Sequence, residues 1–426
     1  MSMRSKMFSG FFSGLMMMGG LVFTGCQSGD EPNDGSQSDN GFQEPTEDAR
    51  YYDIALNADQ KNIRDKSNEF AMEVFNSISQ TNKVVSPFSV FTTMAMLANG
   101  DEGEIRDEIL THFNLKKGDV DALNSYVQVM NQGFEEMYGK TRFCYANSIW
   151  TKAGLTPVPE FETVMKDCYK ADFKTSTGDG EANKNAINSW ISDKTKGLIP
   201  NLLQGPAQFE AALVNALYFK GGWQNKFDEE QTKEALFMNG DNTKSKVSFM
   251  NSEDWMSYGN SNGMKGVGMK LGKGNFRMAF LLPDESETLE AMVARLDGKT
   301  LSEFLGSMKD QALVTVSLPK FDCEYKSDIA PTLTDMGFGT TFSSKFNGIV
   351  SSTTPLEFSS FYHGARMKIN EEGAEGAAAS ITMEAGASGD PLGVDRREVT
   401  FNRPFIYVLE EVSTGTILFV GEITKL

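Results

Sequence analysis

The sequence predicts an α+β fold with large mixed or antiparallel sheets. Three observations carry that prediction. Helix-periodic segments lie early in the chain and strand-like apolar runs lie late,. Ala211 to Lys220, AALVNALYFK, is continuously apolar enough to be a buried central strand,. No composition break or internal repeat interrupts Tyr51 to Leu426, so 51–426 reads as one domain,. With 40% hydrophobic and 11% aromatic residues among 426, a sizeable core can form,.

The chain opens MSMRSKMFSGFFSGLMMMGGLVFTGC. Arg4 and Lys6 precede an apolar run from Met7 to Phe23 that ends in small residues. This is signal-peptide grammar over 1–25. Gly10, Gly14, Gly19 and Gly20, with the polar tail beyond, argue against a spanning helix,. The ending Phe-Thr-Gly-Cys resembles a bacterial lipobox, with Phe23 where Leu is usual, and implies lipid on Cys26. Residues 26–50 are acidic and nearly free of apolar side chains, and read as a disordered tether,. Acid close behind a lipidated Cys resembles the surface-export signal of Bacteroidetes lipoproteins. The expectation is an outer-membrane lipoprotein, at the cell surface in preference to the periplasmic face.

In the domain, Phe70, Val74, Phe75 and Ile78 share one helical face,. Val84 and Val85 suggest a short strand. Ser86 can cap a helix that starts at Pro87 and stops at Gly100,. Asn188 to Leu203 reads as amphipathic helix with a Gly-containing break. After the 211–220 strand, FRMAFLLP, ALVTVSLPKF, REVTFNRPFIYVLEE and GTILFVGEI read as strands with turn residues between them,.

Composition also excludes functions. Net charge is −18, so no nucleic-acid partner is expected,. The four Cys (Cys26, Cys144, Cys168, Cys323) form no CxxC pair, and His112 and His363 are the only histidines. No metal site and no cofactor is expected. A lipid on Cys26 leaves three Cys, hence at least one free thiol. Cys144 in FCYANSIW reads as packing and His112 as a surface residue in a helix or turn. A hydrolase would have to work through His363, and no G-x-S-x-G elbow supports one,.

Ile369 to Asp390, INEEGAEGAAASITMEAGASGD, fits neither a helix nor a turn cluster,. Its small side chains lack a core pattern. Ala374, Gly376, Ala378 and Ser380 would share one face of a strand, with Glu375, Ala377 and Ala379 on the other,. No Pro occurs in it, so each residue can donate to a ladder,.

Six segments in order resemble the serpins, over nearly all of Tyr51 to Leu426. They are NKVVSPFSV, INSWISDKTKGLIPNLL, LVNALYFKGGWQNKF, VSLPKF, INEEGAEGAAAS and FNRPFIYVLEEVSTGTILFVGEI. The resemblance implies a serpin fold with an exposed reactive-centre loop, about 371–398. It implies a suicide-substrate inhibitor, a monomer without enzymatic turnover. A protease cleaves the loop, the loop inserts into the central sheet, and the acyl-enzyme is trapped. The hinge would be Glu371, Glu372, Gly373, Ala374, Glu375, Gly376, Ala377, Ala378, Ala379 and Ser380. Ala374 stands where Thr is usual and Gly376 where Ala is usual. Family spacing puts the reactive bond at Ala387–Ser388, with Met383 the rival. Ala suits a shallow pocket, so an elastase-like or subtilisin-like serine protease is the expected target, with cysteine proteases second. Ser86, Ser89, Asn215 and His363 resemble the shutter cluster. Trp223, with the pair Lys320 and Glu371, resembles the breach. The alternative is a non-inhibitory serpin serving as a surface binding module. Such members carry bulky, charged or Pro residues in the hinge, unlike this one.

Overall fold

Asn57 starts the folded helices. Its side chain accepts from Gln60 N at 2.9 Å while Gln60 reaches back to Asn57 N, closing a capping box,. The structure is a computed structural model that describes residues 47–197, 199–352, 355–374 and 395–426. Along the chain come α1 (Ala58–Ser77), β1 (Val84–Val85), α2 (Pro87–Ala98), α3 (Glu104–His112), α4 (Val120–Glu136), β2 (Arg142–Lys152), α5 (Pro159–Tyr169), β3 (Asp172–Ser176), α6 (Gly180–Lys194) and β4 (Ala211–Gly222). Then follow β5 (Lys233–Met238), β6 (Lys244–Ser261), β7 (Met264–Leu271), β8 (Phe276–Pro283), α7 (Leu289–Arg295), α8 (Gly298–Ser307), β9 (Lys309–Pro319), β10 (Phe321–Asp328) and α9 (Ala330–Asp335). The chain closes with β11 (Phe358–Asn370), β12 (Gly373–Ala374), β13 (Arg396–Thr400), β14 (Phe405–Glu411) and β15 (Thr416–Ile423).

Two sheets organise these elements. A nine-stranded sheet runs β1-β15-β14-β8-β7-β6-β9-β13, with β5 also on β6. A six-stranded sheet runs β10-β11-β12-β4-β2-β3. The mixed α+β reading therefore holds. β4 is the buried central strand that its apolar run requires, paired to β2 along most of its length, from Lys220↔Arg142 to Ala211↔Thr151.

Helices cover both faces of the six-stranded sheet. Ser86 caps α2 by accepting from Ser89 N, and every residue of α2 is buried. α2 is therefore buried all round, the mark of a helix inside a protein. On the other face Ile187, Trp190 and Ile191 of α6 pack with Trp150 of β2 and with Ala212 and Val214 of β4. Three element boundaries differ from the sequence reading. α6 begins at Gly180, where Asp179 caps it, and ends at Lys194 before Gly197 turns the chain at φ +80°. The run ALVTVSLPKF breaks at Lys320 into β9 and β10, which belong to different sheets. REVTFNRPFIYVLEE likewise divides into β13 and β14 around 401–404.

Candidate functional site

The site is a gap in the six-stranded sheet. In their first halves β11 and β4 pair directly and in parallel, from Ser360↔Ala212 to Gly364↔Ala216. Further along they separate, and β12 wedges between them. Gly373 and Ala374 pair antiparallel with Asn370 and Ile369 on one side and with Gly222 and Gly221 on the other. Gly373 sits at φ +151°, and a Cβ there would lie 2.1 Å from Gly221 O. Only glycine fits that turn into the gap.

Polar contacts hold the mouth of the gap. Asn370 Oδ1 accepts from Glu372 N at 3.0 Å and Gly373 N at 3.2 Å, folding β11 back into β12,. Glu371 lies 2.9 Å from Lys320 Nζ and also accepts from Thr232 Oγ1 at 2.8 Å. Burial opposes ionisation of Glu371, but the hydrogen bonds from Lys320 and Thr232 outweigh it and hold the carboxyl below the usual range,. Glu372 pairs with Lys226 at 2.5 Å. Trp223 is fully buried under this corner; its Nε1 donates to Asn370 O at 2.9 Å and its N to Glu372 O at 3.0 Å.

A second polar cluster lies where the strands still meet. His363 Nδ1 and Asn215 Oδ1, from β11 and β4, are 2.9 Å apart. Asn215 Nδ2 donates to Asn147 Oδ1 at 2.6 Å. Thr93 Oγ1 lies between Ser89 O at 2.9 Å and Asn147 Oδ1 at 3.0 Å. Ser86 Oγ donates to Leu418 O at 2.6 Å. All of these residues are buried, and burial alone pushes His363 down to about 3. The ring is therefore neutral and gives its single proton, on Nδ1, to Asn215. Among the described residues, His363 Nε2 and Ser89 Oγ have no hydrogen-bond partner. A buried polar cluster with unmet bonds stores free energy that another arrangement could release.

The sequence reading named Ser86, Ser89, Asn215, His363, Trp223, Lys320 and Glu371, and the structure brings them together as these two groups. It missed Thr93, Asn147, Thr232, Lys226 and Asn370. Asn147 had a signal. It is the polar member of the inward row of Phe143, Tyr145, Asn147 and Ile149 on β2. Lys226 and Thr232 had none, since only the tertiary fold carries them to the mouth.

The family model for Serpin (serine protease inhibitor) matches residues 65–426. The chain belongs to the serpin family. Serpin-Z4 of Hordeum vulgare is 30% identical over 383 residues, 84% of this chain and 94% of that protein. The native structure of the thermophilic serpin tengpin matches with a TM-score of 0.78 at 26% identity, covering 89% of this chain and 97% of that one. Arabidopsis AtSerpin1, in its native stressed conformation, matches at 0.72 and 28%, covering 87% and 99%. Protease inhibition is the general activity of such proteins.

Of the hinge expected from the sequence, Glu371 to Ala374 are the residues just placed. Glu375, Gly376, Ala377, Ala378, Ala379 and Ser380 lie outside the described residues. So do Met383, Ala387 and Ser388, and so does Cys26 with residues 1–46. Cys168 and Cys323 are free thiols, and burial pushes Cys323 up to about 12. His112 ends helix α3, half-buried, in keeping with a surface residue in a helix or turn, and its Nε2 lies 2.9 Å from Gly337 O. Among the described residues no group of His, Cys, Asp or Glu could hold a metal ion.

Proposed function

We propose that this serpin is a suicide-substrate inhibitor whose loop, once cleaved, extends β12 down the gap between β11 and β4. The observation that carries the reading is the two-residue wedge, because it fixes the register of everything behind it. Each further residue moves one step down both neighbours,. Glu375 then comes level with Lys368 and Lys220 on the α6 face, where opposite charges face each other,. Gly376 and Ala378 come level with Met367 and Ala365 on the α2 face, where only small side chains slip in. Ser380 arrives between His363 and Asn215. Its hydroxyl can meet the unpaired Nε2 as the His363–Asn215 bond gives way. Glu384 reaches the level of Ala211, the start of β4.

In this reading Glu371, Lys320 and Trp223 form the breach, and Ser86, Ser89, Asn215 and His363 form the shutter. Their work is to hold and release the sheet. The bond attacked is Ala387–Ser388, three residues past the filled gap. Cleavage at Met383 would leave a strand too short to fill it. Ala at the attacked position supports an elastase-like or subtilisin-like serine protease. Neither Lys nor Arg lies between Lys368 and Arg396, which disfavours a trypsin-like one. The signal-like start, Cys26 and the acidic tether support a lipid-anchored monomer at the outer surface of the cell envelope.

Incubation with an elastase-like and a subtilisin-like protease tests this. The expected product is a band at the summed mass that survives boiling in detergent, with mass spectrometry placing the cut at Ala387. Cleaved serpin and active protease alone, across a wider protease panel, would return the chain to the alternative of a binding serpin.

A further inference from the structure

The extended segment ahead of α1 runs across the outside of the domain. Its side chains alternate, with Ile54 and Leu56 buried and Tyr51, Asp53 and Ala55 exposed,. Its two ends are fixed to different parts of the molecule. At one end Tyr52 N donates to Asn275 Oδ1 and Ile54 N to Ser413 Oγ, both at 2.9 Å. Asn275 lies in the β7–β8 turn and Ser413 in the β14–β15 turn of the nine-stranded sheet. At the other end Lys140 N donates to Glu47 O at 3.1 Å, and Thr141 N donates to Asp48 Oδ1. Residues 47–50, which composition assigns to the tether, thus lie against the turn that leads into β2.

The body is shaped to receive this segment. A Cβ on Gly133 of α4 would lie 2.4 Å from Ile54 Cδ1. A Cβ on Gly139 would lie 2.6 Å from Ala49 N and 2.9 Å from Asp48 Cα, which are backbone atoms that cannot swing aside. Two glycines therefore make a groove, and 47–56 fills it.

We infer that 47–56 is a strap that restrains opening of the six-stranded sheet. The inference rests on the insertion reading for its consequence. To admit a strand, β4 must part from β11 by one strand spacing, roughly 4.8 Å. β2 is bonded to β4 over most of its length and must move with it. The strap ties the start of β2 to turns of the other sheet through hydrogen bonds that cannot stretch by that amount. Thr141, the residue it grips, also stands beside the mouth, with Cγ2 3.1 Å from where a Cβ on Gly221 would lie. Releasing the strap should let β4 and β11 part more often.

Two variants of the full chain release it from opposite sides. Gly139→Ala leaves the strap sequence intact and displaces it; Gly139 is not among the positive-φ residues, so Ala suits its backbone. Asp48→Ala removes the partner of Thr141 N. Native-state hydrogen exchange is followed without any protease, so the outcome is independent of whether the serpin inhibits. The expected result is exchange of the 211–216 and 360–364 amides faster by about tenfold or more in both variants. Faster exchange confined to 47–57 and 139–142 would overturn the strap. Should one variant fail to fold, the other decides. Failure of the strap with a detergent-stable protease band intact would leave the inhibitor reading standing, and the converse holds too.

Discussion

His363 is buried as a neutral ring, and this gives the native state a proton-linked weakness. An unfolded His binds its proton near pH 6.5, while the native one does so only near 3,. Between those values the unfolded state carries more protons. His363 therefore contributes stability that is complete above about pH 6.5 and is lost as pH falls toward 3. Its share of the slope is about 1.4 kcal/mol per pH unit. His363→Gln should flatten the curve of unfolding free energy against pH by that slope in this window, measured by denaturant titration at several pH values. An unchanged slope would mean the ring protonates in place. Glu371 has the opposite kind of dependence. Its carboxyl is held low by Lys320 and Thr232, so its contribution is present above the usual carboxylate range and fades in acid. Lys320 is 42% exposed and Glu371 only 8%, so Lys320→Met leaves a mostly buried carboxylate with one partner fewer. The expected loss at neutral pH is about 1 kcal/mol, read as a lower thermal midpoint. These two clusters were legible in the sequence only where a motif carried them. Ser86, Asn215, Trp223 and Glu371 sit inside quoted segments with strong local patterns. Thr93 and Thr232 are ordinary hydroxyls in sequence, and only the packing of α2 on β2, and of 229–232 on the mouth, gives them partners.

In the proposed function, the inserting strand is the element on which inhibition turns. If the register set by Gly373 and Ala374 continues, position 380 must fit between His363 and Asn215 with α2 packed beneath. Ser380→Arg would bring a charge into that buried space, at a cost of several kcal/mol, and insertion should stall there. The protease would then finish hydrolysis. The expected outcome is cleaved serpin in place of the detergent-stable band, with more inhibitor consumed per protease inactivated. Glu375→Arg, placed between Lys220 and Lys368 at the mouth, should slow the same step more mildly, because that position is on the α6 face and nearer solvent. Elements of this kind were read well where one period ran unbroken. β4 and β8 emerged at the expected residues because their runs are apolar at nearly every position. α6 was placed eight residues late because its opening turn, GEANKNA, is polar and its start depends on the Asp179 cap. The β9–β10 break at Lys320 was invisible because Pro-Lys continues an extended backbone. Only the divergence of the two sheets separates the strands, and that divergence is what puts Lys320 beside Glu371.

At the scale of the whole molecule, the described residues leave the six-stranded sheet unfinished. Among them, β11 and β4 pair directly only as far as Gly364 and Ala216, and Gly373 and Ala374 of β12 occupy the mouth beyond. Completing the strand from Glu375 to Glu384 would add about ten backbone hydrogen bonds, each with a net worth of ~1 kcal/mol. It would also bury Ile381 and Met383 on the face where Trp190, Ile191 and Val214 already form an apolar cluster under α6. Against this stand the loss of the direct β11–β4 pairs, Ser360↔Ala212 to Gly364↔Ala216, and the ordering of the loop,. The polar atoms left without a partner among the described residues, His363 Nε2 and Ser89 Oγ, weigh on the side of completion. A net gain of the order of 10 kcal/mol is comparable with the stability of an entire domain. In a chain of this length 1 kcal/mol moves a thermal midpoint by about 1 °C. Loop cleavage by a protease that is not retained should therefore raise the midpoint by roughly 10 °C. Calorimetry on intact and loop-cleaved serpin checks this directly. A midpoint that stays put after cleavage would mean the cut loop remains outside the sheet, and the trapping mechanism would lose its energy source even if the protease were bound.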